Sequence, residues 1–145
     1  MTVRNVQRLN RKLGRIPAEA RRRVEAALLA SAAEMNSHAI VKIQTNSGSG
    51  RGYKRGSRTH IASSPGEFPN TDRGELVSKM FFELRSRLTV AWGNFAKHAR
   101  PLEFGTSRMA ARPFIRPTYM ALRDRMKKRV SDAVTEALRT VANGR

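Results

Sequence analysis

Glu34 and His38 stand four residues apart, a spacing that places two side chains on one face of a helix, where they could share a metal ion. A metal site needs further ligands. The chain has no cysteine, and its three histidines, His38, His60 and His98, fall on a helix, a loop and a segment after a strand. A solvated or packed helix pair is therefore the plainer expectation, and no metal site is assigned. The Asp and Glu residues are scattered and mostly neighbour arginines, so they read as ion-pair partners rather than general acids. GSGRGYKRG (48–56) is glycine-rich, but it follows a polar helix end and runs into more loop, so it does not read as a phosphate cradle. No nucleophile-elbow or dinucleotide-binding pattern occurs in a strand–turn–helix setting. No catalytic residue and no cofactor are expected, and the chain is not read as an enzyme.

Charge is the stronger signal. The 145 residues carry 29 Lys and Arg against 11 Asp and Glu, a formal net charge of +18. Arg21, Arg22 and Arg23, a glycine-rich basic arm, and the run Arg123, Arg125, Lys127, Lys128 and Arg129 could neutralise many phosphates. No helix-turn-helix spacing, RNP aromatic pattern or zinc finger accompanies them, so sequence-specific recognition is not indicated. Non-specific nucleic-acid binding stays open as an alternative. The plainer reading puts these charges on solvated helix faces, with pairs such as Glu19 and Arg23 at i, i+4.

The elements that would hold such residues follow from periodicity. The length suits a single domain, residues 1–145. Apolar residues at 39% and aromatics at 6% are lean, so part of the chain is expected to stay extended or to borrow surface from a partner. No apolar run is long enough to cross a bilayer, and the start of the chain lacks an apolar signal core, so an intracellular soluble protein is expected. Val3, Val6, Leu9 and Leu13 form a short helical stripe that Gly14 can end. Val24, Leu28, Ala32, Met35, Ala39 and Ile43 mark one long helix from Ala18 to about Gln44.

Residues 46–74, rich in Gly, Ser and Arg, are expected to form an extended flexible loop, stiffer in its second half where Pro65 and Pro69 restrict the backbone. Deleting Ser49–Arg58 is accordingly expected to spare the fold. Asp72 or Thr71 is expected to cap a helical turn from Glu75 to Met80. FFELRS and RLTVAWG read as two strands, although Arg85-Ser86-Arg87 makes a poor turn. Tyr119, Leu122, Met126, Val130, Ala133 or Val134, Ala137 or Leu138, and Val141 recur at helical spacing, with Pro117 in the first turn and Gly144 past the end. The fold class is α+β: a long N-terminal helix and a C-terminal helix packed on a small antiparallel sheet, with a long basic loop.

Two passages are distinctive. SSPGEFPNTDRGEL (63–76) carries P-G-E-x-P-x-T-D-x-G-x-L, and LEFGTSRMAARPFIRPTYMAL (102–122) carries E-F-G-T and then A-R-P-F-I-R-P at a helix start. In this order, after a long helix, they resemble the siphophage neck or tail-completion family, the lambdoid-type tail components of the head–tail gene block. The resemblance spans about residues 15–140. The tract from Ser47 to His60 departs from the family in being longer and more basic. The resemblance implies a structural virion protein at the head–tail junction, assembled in the bacterial host cytoplasm. It implies a homo-oligomeric ring, six- or twelve-fold, joining head-completion or connector proteins to the tail terminator or tail tube, with genomic DNA passing through the bore. A tail terminator ring protein is the alternative within that class. No membrane partner, cofactor or catalytic residue is implied.

The residues then expected to serve assembly are Arg51, Lys54, Arg55 and Arg58 in the arm, together with Glu103, Phe104, Gly105, Thr106, Arg112 and Arg116. In the turn, Gly105 is expected at positive φ, Thr106 is expected to satisfy backbone donors, Phe104 to anchor the turn in the core, and Glu103 to pair with Arg112 or Arg116. The plainer reading of all four is a structural turn, with an inter-subunit contact as the alternative. Phe114-Ile115, set between prolines, is expected to plug the core and dock the last helix on the sheet. Most of the basic surface is expected to face acidic neighbours rather than the DNA channel, because bore arginines would hold DNA too tightly for passage.

Overall fold

No Gly or Pro interrupts residues 18–45, and this alanine-rich stretch forms one helix, α1 (Ala18–Thr45). The computed structural model describes residues 17–142. The helix expected over residues 3–13, and Gly144, lie outside them. After α1 come a hairpin of β1 (Gly52–Arg55) and β2 (Arg58–Ile61), the turn α2 (Glu75–Ser78), and a second hairpin of β3 (Met80–Ser86) and β4 (Thr89–Asn94). A short helix α3 (Ala99–Phe104) and the long α4 (Ile115–Ala142) complete the order. The class is α+β, with long helices at both ends.

The two long helices run antiparallel. Ala20 and Val24, near the start of α1, pack with Ala137 near the end of α4. Midway, Arg129 donates to Ser31 Oγ at 3.1 Å and to Glu34 Oε2 at 2.6 Å. At the far end Ile43 of α1 meets Phe114, just ahead of α4. The α1 residues buried along its length include Ala20, Ala27, Ser31, Ala32 and Ala39, small enough for a neighbouring backbone to approach closely. The core is correspondingly lean. Among the described residues, seven of the twelve buried apolar residues are alanines, and the largest fully buried side chain is Phe114.

α4 docks chiefly on α1 rather than on the sheet. The β3–β4 hairpin also packs on α1. Its turn pairs Ser86 with Thr89, and Leu88 at the corner adopts φ 60°. A left-handed leucine is strained, and burial offsets the strain: Leu88 packs against the cluster of Ala20, Val24 and Ala137. The turn thus falls at Arg87-Leu88, fixed by packing, while Arg85 and Ser86 belong to β3.

Three local expectations are corrected. Residues 46–74 are not one extended loop, because Gly52 to Arg55 pair antiparallel with Ile61 to Arg58 in a separate two-stranded sheet. Alternate exposed polar residues around Gly56-Ser57 give the hairpin its turn, and it needs no core because its side chains are nearly all exposed. α2 is preceded by Gly74 at φ 75° with no side-chain cap, and it ends at Ser78. Asp72 instead pairs with Arg55 at 3.3 Å. α3, which the prolines and glycines of 93–117 concealed, tolerates Pro101 because that residue sits in its first turn.

Candidate functional site

The two distinctive passages, 63–76 and 102–122, meet in space. Gly66 N–H donates to Ala111 O at 2.9 Å, and Arg112 Nε donates to Ser63 O at 2.8 Å. Phe68 packs against the cluster of Ile43, Leu76, Ala96, Ala99 and Phe114, and Asn46 Nδ2 donates to Phe68 O. Glu67 fastens the first passage from within. Its Oε2 accepts from Ser64 N–H at 2.8 Å, and its Oε1 accepts from the Ser49 hydroxyl. The Ser49 bond, seconded by Ser64, holds the Glu67 carboxyl below its usual pKa.

Glu103 has a different role from the one expected. Its Oε2 accepts from the N–H groups of Phe114 and Ile115, and its Oε1 from that of Arg116, each at 2.8 Å. One carboxylate thus satisfies three donors left unpaired where α4 begins, with its charge at the positive end of the helix dipole. It meets the backbone of Arg116 and not the guanidinium of Arg112 or Arg116. Arg112 is spent on the carbonyls of Ser63 and Ala110. Phe104 is likewise corrected: it is 76% exposed and anchors nothing. Its place in the last turn of α3 points it away from the core that Leu102 joins.

Gly105 and Thr106 behave as their types suggest. Gly105 has φ 73° and ψ −179°, and a Cβ there would stand 2.9 Å from Met109 O and 3.0 Å from Ala111 N. Only glycine fits that backbone. Thr106 Oγ1 accepts from Arg108 N–H at 3.2 Å, and its own N–H donates to Met109 O at 2.8 Å. The E-F-G-T and R-P-F-I-R-P passages therefore form a capping unit that aims a 28-residue helix.

This unit forms part of an open cleft of about 750 Å³. Tyr53, Arg55 and His60, alternate residues on one face of the β1–β2 hairpin, line it from one element. Asp72, Arg73 and Glu75 line it ahead of α2, and His98, Arg108 and Arg112 from the α3 region. Within it Arg55 pairs with Asp72, and His98 Nδ1 lies 3.9 Å from Glu75 Oε2. Among the described residues, the side chains of Arg73 and Arg108 have no hydrogen-bond or ion-pair partner.

Of the expected arm cations, the structure brings Arg55 to the cleft. Arg51 lies over the Tyr53 ring at 5.6 Å from its centroid, while Lys54 and Arg58 are exposed. Arg73 and Arg108 went unnoticed in the sequence because neither belongs to a run of basic residues, and Arg73 is flanked by Asp72 and Glu75, which read as its ion-pair partners. Glu34 is committed to Arg129 and Arg125, whose hydrogen bonds hold its carboxyl below the usual range, Arg129 contributing most. Among the described residues no three ligating side chains gather around a possible metal, and no helix is long and apolar enough to cross a membrane.

Compared with protein-family models, curated proteins and solved structures, the chain matches none.

Proposed function

We propose that this chain is a structural subunit of a tailed-bacteriophage virion, forming a ring at the head–tail junction that joins the capsid connector to the tail and surrounds the DNA path. The observation that carries the reading is the capping unit. The passages that resemble the neck family close on one another through Gly66–Ala111 and Arg112–Ser63, and the unit they make leaves Phe104 bare to solvent. An exposed phenylalanine on a rigid, fully bonded turn suits a contact made with another subunit, since little side-chain or backbone freedom is lost on docking. Phe95, 63% exposed, and the half-exposed Phe82 and Leu84 on β3 offer further apolar surface. A ring places two different faces of each subunit in contact, so such surface need not lie in one patch.

The test is genetic and direct. Removing the gene from the phage or prophage that carries it should yield filled heads and separate tails, and a plasmid copy should restore joined particles. Overlong tails would instead mark a terminator, since an uncapped tube keeps adding subunits. Complete infectious particles in the absence of the gene would contradict both.

A further inference from the structure

We propose that the cleft between the β1–β2 hairpin and the 105–112 turn is a binding site for an acidic, extended segment of a partner protein, with Arg73 and Arg108 as its principal anchors. The assignment rests on the cleft alone and does not depend on the virion role.

The donor inventory points to carboxylates. Arg55 already shows the chemistry the cleft favours, holding Asp72 at 3.3 Å. Arg112 has its Nε and one terminal nitrogen fixed on carbonyls, which pins its guanidinium beside the cleft without neutralising it. Arg73 and Arg108 contribute charge that nothing in the described chain offsets. A guanidinium presents a planar fork that matches a carboxylate, so successive acidic side chains can each take one arginine.

The observations favour a peptide over a nucleic acid. Asp72 and Glu75 sit among the arginines and would repel a continuous run of phosphates. A peptide can set its acidic side chains at the arginines and its backbone donors at Asp72 and Glu75. Stacking support is also limited, because the Arg51 guanidinium already lies over the ring of Tyr53. The cleft is open and has room, at about 750 Å³, for an extended segment to lie along it.

The experiment uses the full chain and a fluorescein-labelled peptide of alternating glutamate and glycine, followed by anisotropy at about 0.15 M salt. The double variant Arg73→Gln/Arg108→Gln should weaken binding at least about tenfold. Arg123→Gln/Lys127→Gln removes the same charge from the exposed face of α4 and should change it less than about twofold. Among the described residues neither the Arg73 nor the Arg108 side chain makes a hydrogen bond or ion pair, so circular dichroism should be unchanged. Should the double variant misfold, each single substitution should still weaken binding more than the α4 pair does. Equal losses from both double variants would overturn the proposal, as would no binding by the parent chain. A thymidine oligonucleotide that binds more tightly than the peptide, and loses affinity through Arg73 and Arg108, would overturn it in favour of nucleic acid.

Discussion

The capping unit and the β1–β2 hairpin line one cleft but are built on opposite terms. In the unit, Glu103 serves three backbone donors, Arg112 serves two carbonyls, and Phe114 is wholly buried. The hairpin has almost no buried side chain and is held by its ladder, with Gly50 and Ala62 extending the pairing. Arg55 is held by Asp72, while Lys54 and Arg58 stand exposed. Within the distinctive passages the bonded residues Glu103, Arg112 and Phe114 are thus scaffold, while Arg73, Phe104 and Arg108 face solvent, and the plainer hairpin adds the exposed cations Lys54 and Arg58. Motif strength marks geometry that few sequences can satisfy, which is a different thing from marking the contact surface.

The contrast can be broken, starting where the effect is largest. Gly105→Val forces a β-branched residue into φ 73° with backbone atoms 2.9 and 3.0 Å from its Cβ. It should cost about 3 kcal/mol or more in urea denaturation, or prevent folding. Melting at the parental temperature would show that the turn adapts. Glu103→Ala removes the acceptor for three N–H groups and should cost about 2 kcal/mol by the same measurement.

Glu34→Gln probes the long helix pair away from the unit. The ion pairs with Arg129 and Arg125 hold Glu34 below its usual pKa, so their stabilisation is present above that value and lost as acid protonates the folded carboxylate. The variant should be about 1 kcal/mol less stable at pH 7, and the gap should close below about pH 4 in paired thermal melts. A gap independent of pH would assign the loss to packing.

Much of the frame was legible in the residues. The spacing of Val24, Ala32, Met35, Ala39 and Ile43 gave α1 within a residue or so of its observed end. FFELRS and RLTVAWG fall on β3 and β4. Gly105 was readable because positive φ selects its type so strongly. What escaped was set by contacts across the chain. Leu88 takes a left-handed turn because a cluster on α1 and α4 rewards its burial. Glu103 finds backbone donors 11 to 13 residues ahead, a partner that residue types do not reveal. The β1–β2 hairpin was hidden by glycines that lower strand propensity. Its ties also revise the deletion of Ser49–Arg58: that cut removes β1, the Ser49 bond to Glu67 and the Gly50 bond to Ala62. It should therefore disturb the neighbouring loop, and point substitutions are the cleaner probe.

The division between scaffold and working surface is tested most directly by Arg51→Ser/Lys54→Ser/Arg58→Ser, three exposed arm positions that spare the Arg55–Asp72 pair. Stability should move by no more than about 0.5 kcal/mol. Electron microscopy of particles assembled with this variant in place of the parent chain is the deciding measurement. The account predicts a folded protein with filled heads and tails left unjoined; complete particles at parental yield would contradict it.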